Sequence, residues 1–495
     1  MSLFDHLPVL VVLLPLMVAP VASLCRHGKG ARHLALAASW TAFIFACLLL
    51  DEVLTNGTVR YQMGGWEPPW GIEYRIDVLG GLVLLIVTGI AALVLSFAKL
   101  SIESEIMERR VAIFYATYLL CLTGLIGMTV TGDAFNVFVF LEISSLSAYA
   151  LISMGRDRRA LSAAFQYLIM GSIGATFILI GIGFLYMMTG TLNMDDMARI
   201  LHESDVIETR TVRVGFAFVT VGFGLKFALF PLHLWLPNAY AYAPSAVSAF
   251  LAATATKVAI YCLLRFLLGV FGVGFSLGVM PFDMILIALG CAGILSASLV
   301  AIFQKNVKRM LAYSSVAQVG YIALGIGLAS QTGVSAAIMH LFNHAMMKGA
   351  LFMALGAVFY RVGSTRIEAF QGLGKGMPLT MAAIVVAGLS LIGIPGTAGF
   401  VSKWYLVTAT LESNMWPLAV LILFGSFMAL VYVGRILEAA YFGTAKEDSN
   451  IREAPITMLV PIWILVIANI YFGLHTELTA GLASQATASL MEALP

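Results

Sequence analysis

Charge is what this sequence has least of. Asp, Glu, Lys and Arg together make up 11% of its 495 residues, against about 25% in an ordinary soluble chain. Hydrophobic residues fill 60%. That balance excludes a soluble globular protein and implies a polytopic membrane protein. The formal net charge of +2 gives no electrostatic footprint for a nucleic-acid partner. Cysteine is scarce too. Cys25, Cys47, Cys121, Cys262 and Cys291 are scattered, with no CxxC and no Cys/His metal spacing. Iron–sulfur clusters and structural zinc are excluded on that pattern. No GxGxxG stands in a βαβ setting, so no flavin or nucleotide cofactor is expected. The first twenty residues lack a basic leader and read as a membrane helix rather than a cleaved signal.

What is present is a series of long apolar runs. A spanning helix needs about 20 largely apolar residues. Fourteen segments qualify, near 5–25, 32–50, 78–99, 111–131, 134–154, 162–188, 212–240, 245–269, 281–303, 309–329, 333–360, 379–410, 416–440 and 456–474. The expectation is an all-α integral membrane protein of about 14 transmembrane helices. The seventh and twelfth segments are long and interrupted by Pro or Gly, in FALFPLHLWLP and SLIGIPGTAGFVSKW.

Charge placement supports this alternation. Of the 28 Lys and Arg, 17 fall in the odd-numbered loops, 5 in the even loops and 6 inside helices. The odd-loop set runs from Arg26, Lys29 and Arg32 through Lys308 and Arg309 to Lys446 and Arg452. Positive charge stays on the cytoplasmic side. Odd loops are therefore expected in the cytoplasm of a cell (plasma) membrane protein, with both termini on the outer side.

The charges inside the spans carry the chemistry. Glu142 lies midway along the fifth segment, Lys226 and Lys257 near the middles of the seventh and eighth. His340, His344 and Lys348 stand at i, i+4 and i+8 in HLFNHAMMKGALF, on one face of the eleventh helix. Lys403 follows the break in the twelfth. A single buried lysine can snorkel to an interface. So many on five helices imply an internal hydrated file. At low dielectric an amine sheds its proton unless a carboxylate faces it, so a Glu–Lys pair is a switch, and histidine suits relay steps. Pro231 beside Lys226 frees backbone groups that can solvate a charge at mid-membrane. His233, next to that break, either caps a carbonyl or serves as an accessory group. Asp133, at a helix start, reads as an N-cap before it reads as a file member. The HxxxH pair has no acidic third ligand, so no metal is expected. Arg265 and Arg435 lie near segment ends and are expected to reach an interface.

These residues, in this order, resemble the antiporter-like subunit family: the proton-pumping membrane subunits of respiratory complex I and the subunits of Mrp-type cation/proton antiporters. The resemblance spans nearly the whole chain. It is most specific in LKFALFPLHLWLPNAYAYAPSAVSAF, HLFNHAMMKGALF, QKNVKRMLAYSSVAQVGY and GIPGTAGFVSKW. It implies two inverted five-helix repeats with broken helices 7 and 12. Residues 1–110 then form helices 1–3, 111–275 the first repeat, 276–440 the second, and 441–495 a last helix. It also implies proton translocation through Glu142, Lys226, Lys257, His340, His344, Lys348 and Lys403. APSAVSAFLAATATKVAIYCLLRF looks most similar to the D-type member of the Mrp antiporters. The implied function is that of a membrane subunit of a multisubunit Na+/proton antiporter, with other membrane subunits as partners. A proton-pumping subunit of a complex I or membrane-bound hydrogenase type redox complex is the alternative. A passive membrane scaffold is the alternative of another class.

Overall fold

The computed structural model describes residues 3–25, 28–204, 206–443 and 451–491. Arg26, Lys446 and the last four residues, on which part of the charge and terminus reading rests, lie outside the described residues.

Helices dominate, as they must where no water can satisfy an open backbone. The order is α1 (Leu7–Ser23), α2 (Gly28–Asn56), the hairpin β1 (Val59–Gln62) and β2 (Glu73–Ile76), α3 (Val78–Glu105), α4 (Val111–Val130), α5 (Ala134–Ser153), α6 (Arg159–Thr189) and α7 (Met194–Glu203). Then come α8 (Arg210–Lys226), α9 (Leu236–Tyr242), α10 (Ser245–Ala253), α11 (Ala255–Leu264), α12 (Phe282–Ile302), α13 (Val307–Gly327) and α14 (Gln331–Val362). The chain finishes with α15 (Leu373–Gly376), α16 (Pro378–Ile392), α17 (Ala398–Glu412), α18 (Trp416–Phe442), α19 (Ile456–Leu474) and α20 (Glu477–Met491). Among the described residues, eleven helical stretches are long and apolar enough to cross a membrane, and α1 and α16 are shorter apolar helices. This is a multi-pass membrane protein.

α14 is the central post. Every residue from Gly333 to Val358 is buried, as expected of a helix surrounded on all sides. It packs against α3, α10, α13, α16, α17, α19 and α20. α6, α12 and α18 form the periphery and turn Leu161, Phe165, Leu299, Leu423 and Phe427 outward.

Contacts sort the loops into two sets. At one end Asn306 bridges Arg366, Arg361 donates to the Glu453 carbonyl at 2.6 Å, and Arg156 donates to that of Ile106 at 3.3 Å. This is the arginine-rich loop face. At the other end Tyr74 bridges Thr131, Asp133 bridges Asn193, and Arg60 and Arg75 both bind Asp195. This is the hairpin face.

Some helix pairs approach backbone to backbone. A Cβ at Gly222 on α8 would lie 2.7 Å from the Gly174 carbonyl oxygen on α6, and one at Gly181 would lie 2.8 Å from that of Gly215. Small residues at such crossings are the usual way membrane helices gain contact.

Three elements escape a hydropathy reading. α7 is amphipathic, burying Met194, Met197, Ala198 and Leu201 and capped by the Asn193 side chain. The hairpin β1–β2 is too short and polar to stand out. α20 folds back after the last apolar segment, and its Thr487 hydroxyl accepts from Ser335 on α14 at 2.9 Å. Lys308 also differs from its expected place in a loop. It is the second residue of α13 and only 3% exposed.

Candidate functional site

The first helix break positions Lys226. α8 ends on this residue and regular helix resumes only at Leu236. Ala228 takes the left-handed φ of +60° inside the break. Trp235 Nε1 donates at 2.9 Å to the Leu225 carbonyl that the break exposes. Lys226 Nζ donates to Ser145 Oγ at 2.9 Å and lies 3.7 Å from Glu142 Oε1. The latter is an ion pair without a hydrogen bond. Ser145 and Glu142 come from the same face of α5. The lysine is thus held between a hydroxyl and a carboxylate.

A second discontinuity, which no Pro or Gly announces, positions Lys257. The helix kinks at Thr254 (φ −123°, ψ −57°) between α10 and α11. Lys257 Nζ donates to the Ala252 carbonyl at 2.5 Å and to Thr256 Oγ1 at 3.3 Å. The side chain is fully buried.

On α14, His340 bonds Ser402 Oγ through Nδ1 and Gln318 Oε1 through Nε2, both at 2.9 Å. The His340 and His344 rings stack 6.0 Å apart. Both His344 nitrogens are buried without a protein partner. Lys348 Nζ donates to the Leu311 carbonyl at 2.8 Å and to Ser314 Oγ at 2.5 Å, both on α13.

The second break, residues 393–397 between α16 and α17, faces Lys403. Its Nζ donates to the carbonyls of Leu391 and Ile392 at 3.0 and 2.9 Å and to Ser426 Oγ at 3.0 Å. It also stands 4.7 Å from the Tyr321 ring centre. These are the last carbonyls of α16, the negative end of its dipole.

The sequence candidates thus fall into two groups. Glu142 and Lys226 form one. Lys257, His340, His344, Lys348 and Lys403 make up the other, set apart because no carboxylate pairs with them among the described residues. Among the described residues no hydrogen bond or ion pair links the groups. Two candidates stand aside. Asp133 is the N-cap of α5, accepting from Asn136 N at 2.7 Å. His233 packs against the rings of Phe230 and Tyr313, with Nδ1 unbonded, rather than capping the break through that nitrogen. Arg435 does leave its helix, reaching the carbonyls of Ile302 and Gln304.

Arg265 corrects the expectation that it reaches an interface. It is 8% exposed, forms a two-pronged ion pair with Asp77 and donates to Tyr261 Oη at 3.0 Å. A desolvated guanidinium needs such a partner. Lys257, Tyr261 and Arg265 lie at i, i+4 and i+8, a spacing legible in the sequence. The residues it missed at the second group are Gln318, Ser314, Ser402 and Ser426, neutral polar groups with no distinctive signal.

Buried amines at helix breaks, with two histidines on a central helix, define a membrane subunit of the antiporter-like class. The NADH:quinone oxidoreductase/Mrp antiporter transmembrane family matches residues 131–429. The chain belongs to that family. It is 43% identical to the N subunit of the NADH-quinone oxidoreductase of Desulforudis audaxviator, over 95% of this chain and 96% of that protein. It is 30% identical to the D subunit of the Na+/H+ antiporter of Bacillus subtilis, over 99% and 98%. Among solved structures, a chain of the archaeal membrane-bound sulfane sulfur reductase superposes with a TM-score of 0.89 at 32% identity, covering 98% of both chains. A chain of the Mrp complex from a Dietzia species superposes with 0.90 at 26%, covering 99% and 98%.

Proposed function

We propose that this protein moves protons through Glu142, Lys226, Lys257, His340, His344, Lys348 and Lys403, as one membrane subunit of a larger complex. One observation carries the reading. Among the described residues no carboxylate pairs with Lys257, Lys348 or Lys403, yet all three are buried with two histidines between them. A lysine at membrane depth costs about 3 kcal/mol on insertion scales. A passive scaffold gains nothing from three. Buried amines in one apolar interior disfavour each other's charged form, so protonating one favours release at the next. Glu142–Lys226 then acts as the switch and the second group as the conductor. In this reading the chain crosses the plasma membrane fourteen times, with inverted repeats at 111–275 and 276–440, the arginine-rich loops in the cytoplasm and both termini outside.

For the parent complex we propose a Na+/proton antiporter, on the likeness of residues 243–266 to the D-type antiporter chain. The 43% identity to a quinone oxidoreductase subunit favours a second reading, a redox-driven pump. Purification from native membranes separates them: redox subunits that co-purify support the second, small antiporter subunits the first.

The proton reading is tested in inverted vesicles carrying the complex. Lys257→Ala at equal protein level should abolish proton-coupled transport, and unchanged transport would refute the file. The orientation is tested with single cysteines. Positions near Arg158 and Lys375 should label from the cytoplasm only, one near Glu203 from outside only. Labelling of all three from one side would refute it.

A further inference from the structure

A cavity of about 330 Å³ opens on the arginine-rich loop face, between α3, the loop after α5, the segment before α10, the start of α13 and the loop after α14. That volume lies at the lower end of the ~300–1,000 Å³ usual for small-molecule sites. Neither the Glu142–Lys226 pair nor the second group lines it. Its charged lining is Glu105, Arg156, Asp157, Arg159, Lys308 and Arg366. Four cations against two carboxylates leave a formal surplus of two positive charges.

The carboxylates are already engaged. Asp157 is tied to Arg159 at 2.7 Å. Glu105, 8% exposed, accepts from Ser101 Oγ at 2.7 Å and from the backbone N and Oγ of Ser245 at 3.0 and 3.1 Å, with Lys308 Nζ 3.9 Å away. The cations have donors to spare. Lys308, 3% exposed, donates to the Ala243 carbonyl at 3.3 Å, which leaves two of the three ammonium protons. Arg156 makes one long bond, 3.3 Å to the Ile106 carbonyl. Among the described residues no ion pair includes Arg156 or Arg366. The bias of basic residues toward one membrane face accounts for arginines in these loops. It does not account for their convergence on one cavity from two loops far apart in sequence.

Charge and geometry select the occupant. A metal cation meets net repulsion. A phosphate monoester carries about −1.5 to −2 at pH 7 and three acceptor oxygens, which matches the surplus. Guanidinium forks engage phosphate oxygens in pairs. Ala241, Pro244 and Phe359 give the organic part an apolar wall.

We propose that this cavity binds a phosphate monoester between Arg156 and Arg366, with Lys308 beneath, and that the occupant ties the loop after α5 to the loop after α14. A small soluble phosphate ester and the headgroup of phosphatidic acid share this chemistry.

The test uses the assembled complex in phosphatidylcholine nanodiscs, with radiolabelled glycerol 3-phosphate as the soluble probe. A second arm adds phosphatidic acid and measures its retention by native mass spectrometry. At least one probe should bind saturably, at one site per copy of this chain. Arg156→Gln combined with Arg366→Gln should weaken that binding at least tenfold, the loss expected for charge-assisted bonds. Both arginines are exposed, and co-purification of the partner subunits checks that the variant assembles. Arg158→Gln, an exposed neighbour outside the cavity, should bind as the unmodified chain does. Binding of the soluble probe alone identifies a free phosphate ester as the occupant, and retention of the lipid alone identifies the headgroup. Saturable binding of neither probe, undiminished affinity in the double variant, or an equal loss in Arg158→Gln would overturn the proposal.

Discussion

The two helix breaks hold the same charge by opposite means. At the first, Lys226 ends its half-helix and leans on another helix, on the Ser145 hydroxyl and the Glu142 carboxylate. At the second, Lys403 follows the break and is held by the carbonyls of Leu391 and Ile392 and the hydroxyl of Ser426. The first cage contains a group that can change its charge. The second contains only fixed dipoles. Affinity for a proton at Lys226 therefore depends on where Glu142 is, whereas affinity at Lys403 is set by backbone geometry. In the proposed proton reading, control belongs to the first break, and a constant sink or source to the second.

The largest expected effect breaks the first cage. Glu142→Ala or Lys226→Ala should lower transport in inverted vesicles by about 100-fold or more, as expected when one buried charge loses a partner worth roughly 3 kcal/mol. Subunit assembly, read by co-purification, should persist. Near-normal transport in either variant would erase the distinction between the breaks. Lys403→Ala comes next. It strands two carbonyls and a hydroxyl, together costing about 2 kcal/mol where they relax to other partners, for an expected loss of about 30-fold. Here no carboxylate substitution should mimic the defect, because none contributes.

The hydroxyls sharpen the contrast. Ser145→Ala removes the one hydrogen bond that Lys226 Nζ makes among the described residues, so a loss of about tenfold is expected for a bond to a charged group. Ser426→Ala leaves two carbonyls on Lys403 and should cost about threefold. Equal effects of the two, measured as initial transport rates, would mean that both lysines are solvated alike.

The helical membrane architecture was legible because a backbone in lipid must satisfy its own hydrogen bonds, and the left-handed caps at Gly190 and Gly363 close α6 and α14 within three residues of the expected ends. The ionisable residues were legible because a charge inside an apolar run has no bland background. Their partners were not. Gln318, Ser402 and Ser426 look like any polar residue in a membrane helix, and a carbonyl turned toward a lysine leaves no mark in a side-chain sequence. The kink at Thr254 lacked the usual Pro or Gly. Arg265 was misplaced because its nearness to a segment end concealed the Asp77 partner, 188 residues away in sequence. α20 was invisible because its buried face is built of Ala, Thr and a few Leu.

The glycine contacts between α6 and α8 have a mechanical consequence. At Gly174–Gly222 and Gly181–Gly215 the two backbones come close, with Ile178 and Val219 packed tightly beside the crossings, which leaves little room for one helix to move against the other. Lys226 sits four residues beyond Gly222, so its half-helix is a post clamped at two heights, about 10 Å apart for a seven-residue separation. Such a post does not slide or tilt alone. If Glu142 and Lys226 act as the proposed switch, the change in their separation would come from the lysine's own flexible stem swinging over a fixed base, or from α5 shifting toward it. A disulfide or bulky pair pinning α6 to α8 would leave that change intact, and one pinning α5 to α8 would stop it.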